Sequence, residues 1–271
     1  MRSVSLAALL LLLPGATADA AAIASHRAIY DLKLIRAGEK STISSVDGRL
    51  AFELQGSACE GWTVNFREVN EFQPADGSSR IDDTQSTAFE SSDGLEMQFS
   101  QKEFIDSKKQ SDSRIKVSRP SKDAEGQAEI MGDEAKPFTV PAGAFLPIQH
   151  QSKLMDKARA GETRDVSLVY DGSYGAATYR AITFIGPRKD AGANARDKAN
   201  SEAAPLLAMP SWPLSISFYP TTGADQDTPA YQVSFDLYEN GVVTGLVLDY
   251  GDYVLGGELK KLDLLKTAPC P

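Results

Sequence analysis

YQVSFDLYENGVVTGLVLDY, residues 231–250, holds two strands and the turn between them. Tyr231, Val233, Phe235 and Leu237 fall at every second position, so they share one face of an extended chain. Asn240-Gly241 then supplies the residues that a type I′ turn demands, and Val242 to Tyr250 continues as a second strand. This stretch predicts an antiparallel hairpin with one apolar face.

The same period of two recurs in both directions. Upstream, Ala28, Tyr30, Leu32 and Leu34 share a face, with Asp31 and Lys33 opposite. Asp47-Gly48 reads as a hairpin turn before Leu50, Phe52 and Leu54. Trp62, Val64 and Phe66 follow, then Leu95, Met97 and Phe99, then Ile115 and Val117. Past the midpoint come Val166, Leu168 and Tyr170, Tyr179 to Ile185, and Leu214, Ile216 and Phe218. A last strand is expected from Tyr253 to Leu265. The reading is mainly β, with about a dozen short strands forming a barrel, a sandwich or a wrapped sheet. Tyr170-Asp171-Gly172-Ser173 and Asp249-Tyr250-Gly251-Asp252 read as turns.

Two segments break the period. Between Phe145 and Ala160 the apolar residues move to helical spacing, and Leu154, Met155 and Ala158 share a face. Pro147 suits a first turn and Gly161 a stop, so the spacing predicts a helix over 145–160. A lone helix among strands is expected to plug the inside of a curled sheet or cover one end. Pro187 to Pro210 is rich in Ala, Asn, Asp and Lys and reads as a long exposed loop. Leu206 to Met209 at its end would then be an exposed apolar stretch.

Residues 1–20 have the features of a signal peptide: Arg2, an apolar run from Val4 to Leu13, a break at Pro14-Gly15, and Ala18-Asp19-Ala20 as cleavage site. The run is far short of the roughly 20 apolar residues that span a bilayer. The expectation is an exported, periplasmic chain whose residues 21–271 form a single domain, with no N-x-[ST] sequon. In an oxidising compartment the two cysteines, Cys59 and Cys270, have one intramolecular pairing open to them. The alternative is two separate buried thiols. The net charge of -9 argues against nucleic acid and anionic lipid surfaces as partners.

Chemistry is sparse. The two histidines are His26, read as a solvated residue at a strand start, and His150 on the helix. No paired-Cys, paired-His or calcium-loop spacing is present, so neither a metal nor a cofactor is expected. Gly172-Ser173-Tyr174-Gly175 lacks the residue between Gly and Ser that a nucleophile elbow needs. Ser113-Arg114-Ile115-Lys116 matches S-x-x-K but has no S-D-N or K-T-G downstream. Glu53, Glu60, Glu68 and Glu71 read as outward strand positions. No catalytic residue is assigned, and an enzyme is not expected.

An ordered set of short motifs resembles the envelope integrity protein B family of periplasmic proteins. It comprises His26 to Leu32, Cys59 with Trp62, Leu146 to His150, Tyr170 to Ser173, Leu237 to Val242, Leu248 to Tyr253 and Cys270. The resemblance implies an incomplete antiparallel β-barrel, a sheet wound as a spiral around one central helix and stapled by one disulfide. It implies a role in cell envelope integrity without enzymatic chemistry, and a shape similar to lipoprotein carriers. Candidate groove or ligand-lining residues are Trp62, His150, Leu154 and Met155. The expected partner is another periplasmic protein, such as one built of helical repeats, with a lipid or other apolar ligand as the alternative. Open sheet edges would also permit a dimer.

Overall fold

Alternation of apolar and polar residues along nearly the whole chain yields one large sheet. A computed structural model describes residues 23–131, 135–223, 226–267 and Cys270. The expected signal peptide, residues 1–20, lies outside the described residues. Those residues form fourteen strands in one antiparallel sheet. In chain order, β1 is His26–Ala37, β2 Ile43–Ser57, β3 Gly61–Pro74 and β4 Arg80–Glu90. Then come β5 Glu96–Ile105, β6 Lys108–Ser118, β7 Gly126–Met131 and β8 Lys136–Val140. The helix α1, Pro147–Arg159, divides these from β9 Arg164–Val169, β10 Tyr179–Ile185 and β11 Ser211–Pro220. The last three are β12 Tyr231–Tyr238, β13 Val243–Asp249 and β14 Tyr253–Leu264.

The topology explains why one helix suffices. β2 to β8 meander away from β1 on one side, and β14 back to β9 on the other, with β1 paired to both β2 and β14. The edges of the sheet are therefore β8 and β9, and α1 is the connection between them. Just before the helix, Phe145 makes a parallel bridge to Val169, with Phe145 N–H to Leu168 O at 2.8 Å and Tyr170 N–H to Phe145 O at 2.9 Å. The chain leaving one edge thus docks on the other, and the sheet curls into an incomplete barrel.

Inward residues bury the helix. Ile148, His150, Leu154, Met155 and Ala158 are its buried positions. Leu154 and Met155 pack with Leu54, Trp62, Ala181, Trp212, Leu214 and Leu237 from strands on both halves of the sheet. The outer face carries cross-strand ion pairs, among them Arg27–Glu53, Lys33–Asp47, Asp31–Arg49 and Arg67–Asp83. Cys59, in the turn between β2 and β3, is bonded to Cys270 with Cα atoms 5.8 Å apart. The bond ties the chain beyond β14 to that turn.

Five expectations are corrected. Asp47-Gly48 is not a turn: both residues lie inside β2, paired with β1 and β3, and the reversal comes earlier, between Ala37 and Ile43. Gly48 is required there because the Asn70 side chain lies where a β-carbon would stand. The Asn240-Gly241 turn is real but not type I′, since only Gly241 has positive φ, at 84°. The positive-φ pair stands at Asp106-Ser107, between β5 and β6. β9 is inverted relative to its apolar pattern. It buries Asp165, Ser167 and Val169 and leaves Val166 48% exposed, because α1 faces it with Lys153. His26 is 2% exposed in the strand at the middle of the sheet, not a solvated edge residue.

The fifth correction concerns Pro187 to Pro210, which is not an exposed loop. It contains a short helix, α2 (Ala195–Lys198), and a 3-10 turn, Ser201–Leu206, and Ala203 and Leu206 are fully buried. Buried polar side chains hold it against β12, β13 and β14. Asp197 accepts the hydroxyls of Tyr238 at 2.6 Å and Thr244 at 2.7 Å. Asp236 accepts from Lys189 at 2.6 Å and Asn194 at 3.0 Å, and Asn200 donates to Leu259 O at 2.8 Å.

Candidate functional site

The helix does not fill the space that the curled sheet encloses. A cavity of about 340 Å³ remains between α1 and the inner faces of β1–β3 and β11–β13. Phe52, Leu154, Leu214, Phe235, Leu246 and Leu248 represent its wall. Its volume lies in the range of small-molecule sites. Among the described residues no Asp, Glu, Lys or Arg lines it, and burial lowers both of its imidazoles. Burial pushes His150 down to about 4, outweighing the pull of the Asp165 carboxylate. Burial also lowers His26, against its contact with the Ala24 carbonyl. Tyr30 satisfies its hydroxyl by donating to Val243 O at 2.7 Å.

A second space of about 600 Å³ adjoins it, sharing Leu50, Phe66, Pro147, Val233 and Leu248 as lining. The strand registers explain why the two differ. Leu54, Val64, Ala88 and Phe99 form one cross-strand row over β2–β5, and it is apolar. Further along the same strands Leu50, Glu68, Thr84 and Glu103 form another, and Gly48, Asn70 and Asp82 the next. The inner face therefore turns from apolar to acidic within one set of strands. Asp171 and the rings of Tyr174, Tyr231, Tyr250 and Tyr253 complete the second chamber. Burial raises Glu68, offset by the Asn70 amide, and pushes Tyr253 up to about 12 with the Glu68 and Asp82 carboxylates adding to it.

The helix that roofs the apolar chamber is fixed at its start and midway along. Its N-cap is Leu146, which has no side-chain acceptor. Glu90 on β4 takes that role across space, accepting the N–H groups of Ile148 at 2.9 Å and Gln149 at 3.0 Å. Burial pushes Glu90 up to about 7, against those N–H groups and Arg119. Arg119 donates in turn to Gly94 O, Ala144 O and Gln149 Oε1. Farther along, Lys153 pairs with Asp165 at 2.8 Å and donates to Ser167 at 2.8 Å. Burial would raise Asp165, but Lys153 and Ser167 hold it below the usual range.

Of the four candidate groove residues, His150 and Leu154 line the apolar chamber. Trp62 instead borders an outer groove beside α1, and Met155 is packed in the core without facing either chamber. Glu68, read as outward, faces the acidic chamber, whereas Glu53 is outward as expected and pairs with Arg27. Ser173 closes its own turn, donating to Asp171, and borders the acidic chamber. Sequence reasoning missed Glu90, Asp82 and Glu103, and read Asp171 only as part of a turn. The signal available was position: Glu68 on β3 continues the phase of Val64 and Phe66, and Glu103 on β5 that of Met97 and Phe99.

A curled antiparallel sheet holding one helix over an internal cavity gives this chain a barrel-like fold. The EipB-like family profile matches residues 17–266. A relative from Brucella abortus (strain 2308), named "Cell envelope integrity protein EipB", is 34% identical over 251 residues, covering 92% of this chain and 87% of that protein. A crystal structure from Brucella abortus, described as a β-barrel-like protein of a domain of unknown function, superposes with a TM-score of 0.83 at 31% identity. It covers 91% of this chain and 100% of that chain. The chain belongs to the EipB-like family.

Proposed function

We propose that this protein supports the cell envelope, as its Brucella relative's name says of that protein, by holding an apolar ligand between α1 and the sheet. The observation that carries this reading is the chamber of about 340 Å³ whose wall, among the described residues, has no Asp, Glu, Lys or Arg. Apolar surface facing a cavity is stabilised by removal from water, at about 25 cal/mol per Å² of ligand and wall covered. The reading is non-catalytic and places the mature chain in the periplasm. Native mass spectrometry of protein isolated from cells without detergent tests it. The expected result is a bound species lost on solvent extraction. Protein that is uniformly ligand-free and fails to take up any alkyl compound would overturn it.

A second reading has its own observation. Val166 on the edge strand β9 and Phe184 on β10 are 48% and 59% exposed on the outer face. An envelope protein docking along that edge, by strand pairing or by a helical surface, would cover them. Cross-linking from Phe184 in cells, with capture of one defined partner that Phe184→Glu abolishes, would support it.

A further inference from the structure

Two side chains of the apolar chamber present acceptors whose polarity is fixed by a hydrogen bond at the other end of the same group. The first is His26, which is 2% exposed and whose Nδ1 lies 2.7 Å from Ala24 O. A carbonyl oxygen can only accept, so Nδ1 carries the proton. Burial lowers the ring from its ordinary value, so the imidazole is neutral and Nε2 is a bare lone pair. Among the described residues no donor reaches Nε2, and it keeps accessible surface. The ring lines the apolar chamber beside Phe52, with 5.4 Å between ring centroids.

The second is Gln151 on α1, which also lines the chamber. Its Nε2 donates to Gly241 O at 2.8 Å. That bond fixes which way the amide points and leaves Oε1 as an acceptor, again with no donor among the described residues. The anchors of the two groups converge. Ala24, which accepts from His26, donates its own N–H to Asn240 O at 2.9 Å, and Gln151 bonds the next residue, Gly241. Both acceptors therefore belong to the end of the chamber at the Asn240-Gly241 turn, one held from β1 and one from α1.

The other polar groups of the wall do not supply the missing donor. Tyr30 gives its proton to Val243 O. His150 Nε2 is buried and lies 3.9 Å from Asp165 Oδ2, on the side of that carboxylate. An alkyl ligand that cuts an acceptor off from water without offering it a donor binds more weakly for doing so.

We infer that the ligand of this chamber is a neutral amphiphile with a hydroxyl head, whose hydroxyl hydrogens are taken by His26 Nε2 and Gln151 Oε1. This rests on the apolar-ligand reading above and adds the chemistry of the head. A long-chain alcohol brings one such hydrogen and a glycerol monoester two. A carboxylate head would set acceptors against acceptors. An ammonium head would find no carboxylate on this wall among the described residues. An ether head would fill the chamber and leave both acceptors unmatched.

Calorimetric titration of the mature, disulfide-bonded protein at neutral pH with decanol, decyl methyl ether and decanoate, each below its solubility limit, tests the inference. Decanol is expected to bind about tenfold tighter than the ether, with decanoate weakest. Heteronuclear NMR of the ring nitrogens gives an independent reading. His26 is expected to carry its proton on Nδ1 in the free protein, and decanol, but not the ether, is expected to move the Nε2 resonance. His26→Phe is expected to abolish the preference for alcohol over ether while keeping its affinity for the ether, which reports an intact chamber. Should that variant not fold, the alcohol-to-ether ratio and the ring resonances of the parent decide without it. Monodecanoylglycerol binding tighter than decanol makes a glycerol ester the source of the hydroxyl, and binding weaker makes it a simple alcohol; both support the assignment. Equal binding of alcohol and ether, decanoate binding tightest, a proton on His26 Nε2 in the free protein, or a preference that survives His26→Phe overturns the hydroxyl assignment and leaves the apolar-ligand reading standing. Failure of every one of these compounds to bind overturns both readings.

Discussion

The carboxylate of Glu90, at the end of β4, accepts the backbone N–H of Ile148 at 2.9 Å and so starts a helix belonging to another part of the chain. Leu146 cannot cap that helix, and a strand side chain does it instead. Glu90→Ala orphans two N–H groups at the buried end of α1, each costing about 1–3 kcal/mol. Denaturant titration should show a loss of about 2–5 kcal/mol, with a smaller loss for Glu90→Gln, which keeps one acceptor oxygen. A Glu90→Ala variant as stable as the parent would mean that α1 does not depend on this contact.

The Cys59–Cys270 bond closes a loop with a sequence separation of 211 residues. By the chain-entropy argument such a loop is worth about 5 kcal/mol at most, and native disulfides commonly return about 2–5. Cys270→Ser should lower stability within that range, read as a shift of the unfolding midpoint. Peptide mapping without reduction should recover Cys59 linked to Cys270, and two free thiols in exported protein would refute the pairing.

Leu154 is buried where α1 faces both the core and the apolar chamber. Leu154→Ala should cost about 2–5 kcal/mol, and Leu154→Asp more, because it buries a charge with no partner among the apolar wall residues. Melting curves of the two variants check this. An aspartate variant melting with the parent would place this helical face outside the core.

The pH dependence of His150 has a definite sign. Its folded-state value is about 4 and its unfolded value 6.5, so between these the unfolded chain binds the proton that the folded chain refuses. The stability contributed by neutral His150 is therefore full above pH 6.5 and falls as pH drops toward 4, by about 3 kcal/mol. Glu90, raised from 4.5 to about 7, has the opposite slope, losing stability as pH rises through that window. The clean observable is the difference between parent and His150→Gln, in which the Glu90 contribution cancels. Relative to the variant, the parent should lose stability between pH 6.5 and 4. Parallel pH curves would contradict the burial of this ring.

Much of the fold was legible because burial on one sheet face imposes a period of two, and residues such as Ala28, Tyr30 and Leu32 obey it. The helix was legible through Pro147, Leu154, Met155 and Gly161, and the disulfide through the cysteine count. The misreadings occur where a distant element, not local propensity, sets the environment. β9 buries Asp165 and Ser167 because Lys153 meets them, and Val166 therefore faces out. Gly48 serves Asn70 across the sheet, although Asp-Gly is a turn signal locally. Residues 187–210 are polar in sequence, yet Asp197 and Asn194 spend that polarity on buried hydrogen bonds to β12 and β13. Of the candidate site, His150 and Leu154 were found from the helix, whereas Glu68, Asp82 and Glu103 were not. Strand phase tells which residues point inward, but no local pattern tells that the inside is empty there.

The central claim is that an alkyl chain occupies the space between α1 and the sheet. Photolabelling the mature protein with an alkyl maltoside carrying a diazirine on its tail, followed by peptide mapping, tests it most directly. The account predicts adducts concentrated on the chamber wall, at residues such as Phe235, Leu246 and Leu248, and competed away by unlabelled dodecyl maltoside. Adducts confined to the outer face, at Val166 and Phe184, with none on the chamber wall, would contradict it.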